Sequence, residues 1–327
     1  MAMGSNWQLT HVGLIVRDKN RVVDYYRSLG IGVDVGPQPP GPALSEEQKA
    51  LIRTTIYGRR VEIDWSRPAE EKAHWEGNVQ IGDLQLEVLQ SAPDSFQWRH
   101  SEKASEGISH ICYNVPDIMG ETARLTGKGL RIIFSIEGDG WIGENYLDTG
   151  RHGGLWLSMR PPKDRWFSAW EAERLSNRLV SNWKFHGAGI AVRDLDQTVD
   201  YYRSLEIAAF QTERVFDSSS TADFQPGGKS AGSRFRARKR AAMLGSTVYE
   251  FVQPLEGDTI YSQALYSRGE GVNDIGFLVN DLDMEAAKLV GKGLPVVLSG
   301  KPSEGHAFAF FDTRPEGGNI MLKLMQA

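Results

Sequence analysis

One pattern occurs four times in this chain of 327 residues and sets what it can fold into. Its fullest form is Thr10-His11-Val12-Gly13-Leu14-Ile15-Val16-Arg17-Asp18, an apolar strand ending on an aspartate suited to cap the next helix. Gly107 to Asp117 repeats it, with His110 in the place of His11 and Asp117 in the place of Asp18. Gly187 to Asp194 and Val272 to Asp281 repeat it again without the histidines. The helices repeat as well. Val23-Asp24-Tyr25-Tyr26-Arg27-Ser28-Leu29 returns as Val199-Asp200-Tyr201-Tyr202-Arg203-Ser204-Leu205, and Gly127-Lys128-Gly129-Leu130 returns as Gly291-Lys292-Gly293-Leu294. Shared secondary structure alone does not produce identical runs of this length. The chain therefore reads as two homologous modules, each built from two related units.

Within the first unit, Asp18 caps a helix over Arg21 to Leu29, with Val22, Tyr25, Tyr26 and Leu29 at helical spacing, and Gly30 stops it. Ile31 to Val35 reads as a second strand. The four prolines of residues 36–43 demand a loop, and Ser45 to Ile52 allows one helical excursion. Residues 55–64 and 79–90 read as the third and fourth strands. The second unit gives a strand to Val115, a helix from Ile118 to Thr126, and strands at 131–136, 144–148 and 155–159. Both are βαβββ units. The expected domains are 6–160, a connecting helix within 161–182, and 183–327. The loop over 217–233, rich in Ser and Gly, is expected to be mobile.

A βαβββ unit with a His-Val-x-Leu-x-Val strand, an acidic cap and a Tyr-Tyr-Arg-x-Leu helix resembles the vicinal oxygen chelate superfamily of glyoxalases, bleomycin-resistance proteins and extradiol dioxygenases. In strand motifs it is most similar to glyoxalase-like proteins of the methylmalonyl-CoA epimerase kind. The resemblance implies an α+β fold of two tandem modules, each a curved, mixed eight-stranded sheet that holds a divalent metal. Ligands come from the first, fourth, fifth and eighth strands of a module. On this chain those positions are His11, Glu87, His110 and Ser158, where the superfamily usually has a glutamate in the last.

Two imidazoles and a carboxylate suit one divalent transition metal: Fe, Mn, Co, Ni or Zn. Alternation puts His11 and Gly13 on one face of the first strand, and His110 and Cys112 on the matching face of its repeat. A lone histidine on an apolar strand is commonly a core residue. Two at equivalent positions, beside an acid on an apolar strand, point to a metal. Ser158, Trp156 and Cys112 are expected to line the substrate pocket, although Trp156 could equally fill the core and Cys112 suits a small buried hydrophobe. Tyr146 and Glu144 are candidates for proton transfer. The matching positions of the second module are Gly187, Glu250, Asp274 and Lys323. No metal is expected there, but an ion pair between Asp274 and Lys323 is. His186 should face away from that cup. Arg234, Arg236, Arg238 and Arg240 alternate along a strand and suit either an anion site or a solvated edge.

The expected function is metal-dependent isomerase, epimerase or lyase chemistry on a small oxygen-chelating substrate in the first module. Alternatives are an extradiol-type ring-cleaving dioxygenase and a non-catalytic, resistance-type binding protein. Nine tryptophans hint at an apolar or aromatic small-molecule substrate. The second module would support the first, shape its cup or mediate a homodimer. A net charge of −5 argues against nucleic acid as a partner. No apolar run reaches the length of about 18 residues needed to cross a membrane. The single cysteine, Cys112, permits no intrachain disulfide, and the first residues lack a signal-peptide pattern, so a cytoplasmic location is expected.

Overall fold

The computed structural model describes residues 6–39, 43–61, 75–91, 105–162, 165–226 and 234–327. The first repeat carries β1 (Gln8–Val16), α1 (Lys19–Ser28), β2 (Gly32–Asp34), α2 (Glu46–Leu51), β3 (Arg53–Ile56), β4 (Arg59–Val61), β5 (Glu76–Ile81) and β6 (Leu84–Gln90). Its second unit is β7 (Gly107–Asn114), α3 (Ile118–Gly127), β8 (Ile132–Gly138), β9 (Trp141–Leu147) and β10 (Trp156–Arg160). Helix α4 (Arg165–Ser176) joins this half to the next. There follow β11 (Lys184–Ala191), α5 (Leu195–Leu205), β12 (Ala209–Phe210), β13 (Arg214–Asp217), β14 (Ala222–Pro226), β15 (Arg236–Leu244) and β16 (Thr247–Glu256). The last unit is α6 (Ile260–Arg268), β17 (Gly271–Val279), α7 (Leu282–Gly291), β18 (Val296–Lys301), β19 (Phe308–Phe311) and β20 (Met321–Gln326). Among the described residues no helix is long and apolar enough to cross a membrane.

The described residues form two mixed ten-stranded sheets. The first runs β2-β5-β6-β1-β7-β10-β9-β8, with the β3–β4 hairpin added beyond β8. The second repeats this as β12-β15-β16-β11-β17-β20-β19-β18, with β14 beyond β18 and β13 on β15. The expected eight-stranded frame is present twice, and each copy carries two added strands. Inside each frame the first strands of the two units pair antiparallel, β1 with β7 and β11 with β17. That pairing brings the repeated motifs side by side.

The third strand lies elsewhere than expected. It is Glu76–Ile81, which forms a tight hairpin with β6. The described part of the expected strand, residues 55–61, instead turns at Tyr57-Gly58: β3 pairs with β8 on the far edge and β4 folds back onto β3. Residues 62–64 of the expected strand, and 227–233 of the expected mobile loop, lie outside the described residues. In the described part of that loop Asp217 caps a short 3-10 turn and β14 pairs with β18.

The four aspartates that close the repeated strands cap helices in one manner. Asp18, Asp117, Asp194 and Asp281 accept the backbone N–H three residues on, at 3.0, 2.8, 2.9 and 2.9 Å. Alternation then divides the strands. Val12, Leu14 and Val16 of β1 are fully buried on the side away from His11, as are Ile111 and Tyr113 away from His110. They join one apolar core with Ile190, Tyr249 and Phe277 of the second half. The Tyr113 and Tyr249 hydroxyls meet across that core at 3.2 Å. The two halves clasp each other symmetrically. The turn at Gly82 lies against the Trp183 carbonyl, and the turn at Gly245 against the Trp7 carbonyl.

Both glycines have φ of +54°, and a Cβ on either would sit 2.4 Å from the opposing carbonyl oxygen. Gly58 has φ of +74° with open space around it. Gly82→Ala and Gly245→Ala should each cost about 2–4 kcal/mol, and Gly58→Ala only about 1–2 kcal/mol. Denaturant unfolding of the three variants checks the order.

Candidate metal centre

The centre is built on two β-bulges. Strands β1 and β7 slip register between Leu9 and His11, and again between Gly13 and Leu14, which leaves Thr10 and Ser109 as extra residues. Each bulge swings a hydroxyl beside the following imidazole. Thr10 Oγ1 is 3.2 Å from His11 Nδ1, and Ser109 Oγ is 3.0 Å from His110 Nδ1. The Thr10 hydroxyl gives its own proton to the Cys112 carbonyl at 3.0 Å, and the Ser109 hydroxyl donates to the Gly13 carbonyl at 3.5 Å. Both hydroxyls must therefore accept from Nδ1–H, which fixes each ring in one tautomer and leaves a lone pair on Nε2.

Those lone pairs converge. His11 Nε2 lies 3.2 Å from His110 Nε2, and the two nitrogens lie 3.4 and 3.5 Å from Glu87 Oε2. Three acceptors at such separations repel one another unless a cation sits among them. A divalent ion bonded at about 2.1 Å would hold neighbouring donors about 3.0 Å apart at right angles and about 3.4 Å apart tetrahedrally. The observed spacing fits. All three residues are buried, and among the described residues they are the group whose donor atoms gather closely enough to hold an ion. Burial alone would raise the Glu87 carboxyl. Positive charge at this point outweighs it: His11 and His110 when protonated, with Arg160 further off, hold the group well below the usual carboxylate range, and a bound cation would act in the same sense.

Gly13 makes the convergence possible. It pairs with His110 on one side and Glu87 on the other, and a Cβ there would sit 1.9 Å from the His110 ring. The ring occupies the space a side chain would take.

The other expected residues surround this point. Ser158 pairs with Cys112 and with Tyr146 across neighbouring strands. Its hydroxyl donates to Glu144 at 3.2 Å. Arg160 grips the same carboxylate through Nε at 2.9 Å and Nη2 at 3.0 Å, and donates to Gln38 at 2.9 Å. Glu144 is therefore an ion-pair partner in the cup wall. The Tyr146 hydroxyl is 3.4 Å from His110 Nε2 and its ring lies 4.7 Å from the imidazole. Burial first, then the Glu144 and Glu87 carboxylates, push this phenol well above its ordinary pKa. Trp156 pairs with His110 in register and packs with Ile133 and Tyr146, fully buried. Cys112 is also fully buried, and burial pushes its thiol up to about 11, which suits a small hydrophobe.

Sequence reasoning missed Thr10, Ser109, Arg160 and Gln38. The first two had a signal: a hydroxyl residue immediately precedes each histidine. Arg160 ends the eighth strand on the alternation of Trp156 and Ser158, so its side of the sheet was readable. Gln38 lies in a proline-rich loop without periodicity.

The second half keeps the frame and changes the chemistry. Gly189 pairs with Glu250 and Asp274 as Gly13 does with Glu87 and His110, and Gly276 pairs with Lys323. The one-residue shift of the last strand falls at Asn319, which takes a left-handed φ of +63°. Lys323 pairs with Glu250 at 3.1 Å, not with Asp274 as expected; Asp274 accepts the Tyr261 hydroxyl at 3.0 Å instead. Lys239 binds the other Glu250 oxygen at 3.1 Å. The β1 bulge also recurs in β11 at His186, so His186 lines the cup beside Lys323 rather than facing away. Three of the four arginines in the run are paired with acids, and Arg240 donates to the Gln211 carbonyl at 2.9 Å. Arg238 is held by Asp196 and Glu213, and Arg234 and Arg236 by Asp217, on a strand that has neighbours on both sides.

The sequence matches the model of the Glyoxalase/Bleomycin resistance protein/Dioxygenase superfamily over residues 10–142 and again over 186–310. The chain belongs to that superfamily, as a tandem pair. Among solved structures it is similar to a triple mutant of 4-hydroxymandelate synthase from Streptomyces coelicolor. That match has 12% identity and a TM-score of 0.65, covering 98% of this chain and 93% of the other. A catechol 2,3-dioxygenase aligns with 10% identity and a TM-score of 0.51, covering 98% and 92%. Methylmalonyl-CoA epimerase from Mycobacterium tuberculosis aligns with 18% identity and a TM-score of 0.35, over 43% of this chain and 86% of its own. No curated protein matches in sequence.

Thr10→Val and Ser109→Ala free the ring tautomers and should each weaken divalent-metal affinity about 10- to 100-fold. Gly13→Ala displaces the His110 ring and should weaken it at least as much; metal titration against a chelating dye reads all three. The Glu250 carboxyl is pulled below its usual range by Lys323 and Lys239 despite burial. A depressed group stabilises the fold above its unfolded pKa of about 4.3 and loses that contribution as pH falls further. Unfolding followed from pH 7 to pH 3 should therefore show a decline that Glu250→Gln flattens, at a cost of about 1–3 kcal/mol at neutral pH.

Proposed function

We propose that the first module is the catalytic half of a metal-dependent enzyme acting on a small substrate that presents two oxygens. The observation that carries this is the convergence of the His11, His110 and Glu87 donors, with both ring tautomers fixed to face the same point. When bound, a divalent ion there supplies Lewis acidity toward oxygens of the substrate. Ser158 stands at a position where related sites carry a fourth ligand, and its hydroxyl is held by Glu144.

The chain's own residues favour proton transfer as the reaction type, in an isomerase, epimerase or lyase. Tyr146 keeps its proton at neutral pH, on a hydroxyl oxygen 3.4 Å from His110 Nε2, at the edge of the candidate centre. It is the residue to donate a proton to a developing oxyanion, and the Glu144 carboxylate is the group of this wall to accept the proton that leaves carbon and return it. Glu144 positions this wall through Arg160 and Ser158. Trp156 and the buried Tyr146 ring keep the floor apolar, which suits an apolar or aromatic body and excludes water.

Ring-cleaving oxygenation is the second reading. It is favoured by the donor set itself, two histidines and one carboxylate, which is the set of oxygen-activating iron sites. Two assays separate the readings. Protein loaded in turn with Fe, Mn, Co, Ni and Zn is offered thioesters, 2-oxo acids and catechols. Deuterium uptake from D2O at carbon next to a carbonyl is the expected result, falling about 10²- to 10⁴-fold in Tyr146→Phe. Oxygen consumption restricted to the iron form, without such exchange, would sink the proton-transfer reading. Turnover of nothing, beside ligand binding that survives chelation, would leave a binding protein.

A further inference from the structure

The second cup holds the more obvious empty space. Two adjoining cavities of about 310 Å3 each share Phe216, Lys239, Glu250, Phe308 and Lys323. One of them is walled by Val252, Ile260, Phe310 and Met321. Lys323 stands where Ser158 stands in the first cup, and its ammonium lies 5.4 Å from the Phe310 ring centroid. The positive charge that the first cup would take from a bound ion is here built into the chain.

We propose that the second cup is a metal-free binding site for a small carboxylate with an apolar body of aromatic size, its oxygens held by the ammonium groups of Lys323 and Lys239. Each ammonium has three N–H donors, and Glu250 accepts one from each at 3.1 Å. Two lysines against one glutamate leave a net positive charge at the junction of the cavities. Of the other acids that line the two cavities, Asp274 accepts from the Tyr261 hydroxyl and the Asn273 amide at 3.0 and 3.4 Å, Asp258 accepts from Gln263 at 3.2 Å, and Glu304 lies 3.8 Å from Arg214. Burial raises the Asp274 carboxyl above the ordinary range, which lessens its repulsion of an anion. At the rim Arg314 is occupied by Asp312 at 2.7 Å, so the lysines are the cations that face the apolar walls. Phenylalanines and a methionine around a cationic floor select a ligand with one charged end and a flat apolar remainder. The inference does not depend on the reaction proposed for the first module.

Calorimetric titration of 3-phenylpropanoate and of its neutral amide into the metal-loaded chain tests it, beside His11→Ala and Lys323→Met. The acid should bind once per chain, with equal affinity in the wild type and in His11→Ala. The amide should bind at least tenfold more weakly, and Lys323→Met should lose at least tenfold for the acid. Equal binding of acid and amide, binding lost in His11→Ala, or no saturable binding of the acid would each overturn the assignment. If Lys323→Met fails to fold, the acid–amide comparison on the wild type and on His11→Ala decides.

Discussion

Everything in the first module is arranged around the mutual repulsion of three acceptors. His11, His110 and Glu87 are brought within 3.2–3.5 Å of one another, and the fold holds them there from several directions. Antiparallel pairing of β1 with β7 supplies the histidines, and parallel pairing of β1 with β6 supplies the acid. Two bulges deliver the hydroxyls that fix the tautomers, and a missing Cβ at Gly13 gives the ring its space. A core histidine needs none of this. The cost of leaving three such groups buried and unbridged is several kcal/mol, which a cation offsets.

The same frame in the second module shows how little must change to alter the chemistry. The glycine that faces the fifth-strand ligand position is retained as Gly189, and the bulges are retained at His186 and Asn273. What differs are the side chains at three of the four ligand positions, the glutamate being kept as Glu250. Gly187 contributes none, and Lys323 brings its own cation to Glu250. A shared apolar core and reciprocal clasps at Gly82 and Gly245 tie the halves together.

Much of this was legible in the sequence, because it rested on periodicity. The capping aspartates, the βαβββ order and the placement of His11 and His110 on matching strand faces follow from alternation and from the repeat, whereas Glu87 follows from the resemblance to the superfamily. What escaped did so for physical reasons. The alternation from Arg60 to Asp64 marks a strand as well as any, but it does not say where along 55–64 the strand runs or which edge it joins. The hairpin that took the third-strand position contains Glu76, Asn78 and Gln80, inward-facing polar residues that look like a surface loop in sequence. Bulges shift register by one, so His186 was assigned to the wrong face. The partner of Lys323 depended on side-chain reach between strands, which spacing does not encode.

The most direct test is the metal content of the protein purified without oxygen, measured by elemental analysis beside His11→Ala and His110→Ala. About one transition-metal ion per chain is predicted, lost in both variants while each keeps its fold. A wild-type chain that stays metal-free after exposure to Fe, Mn, Co, Ni and Zn, or one whose metal survives both substitutions, would contradict the account of the centre.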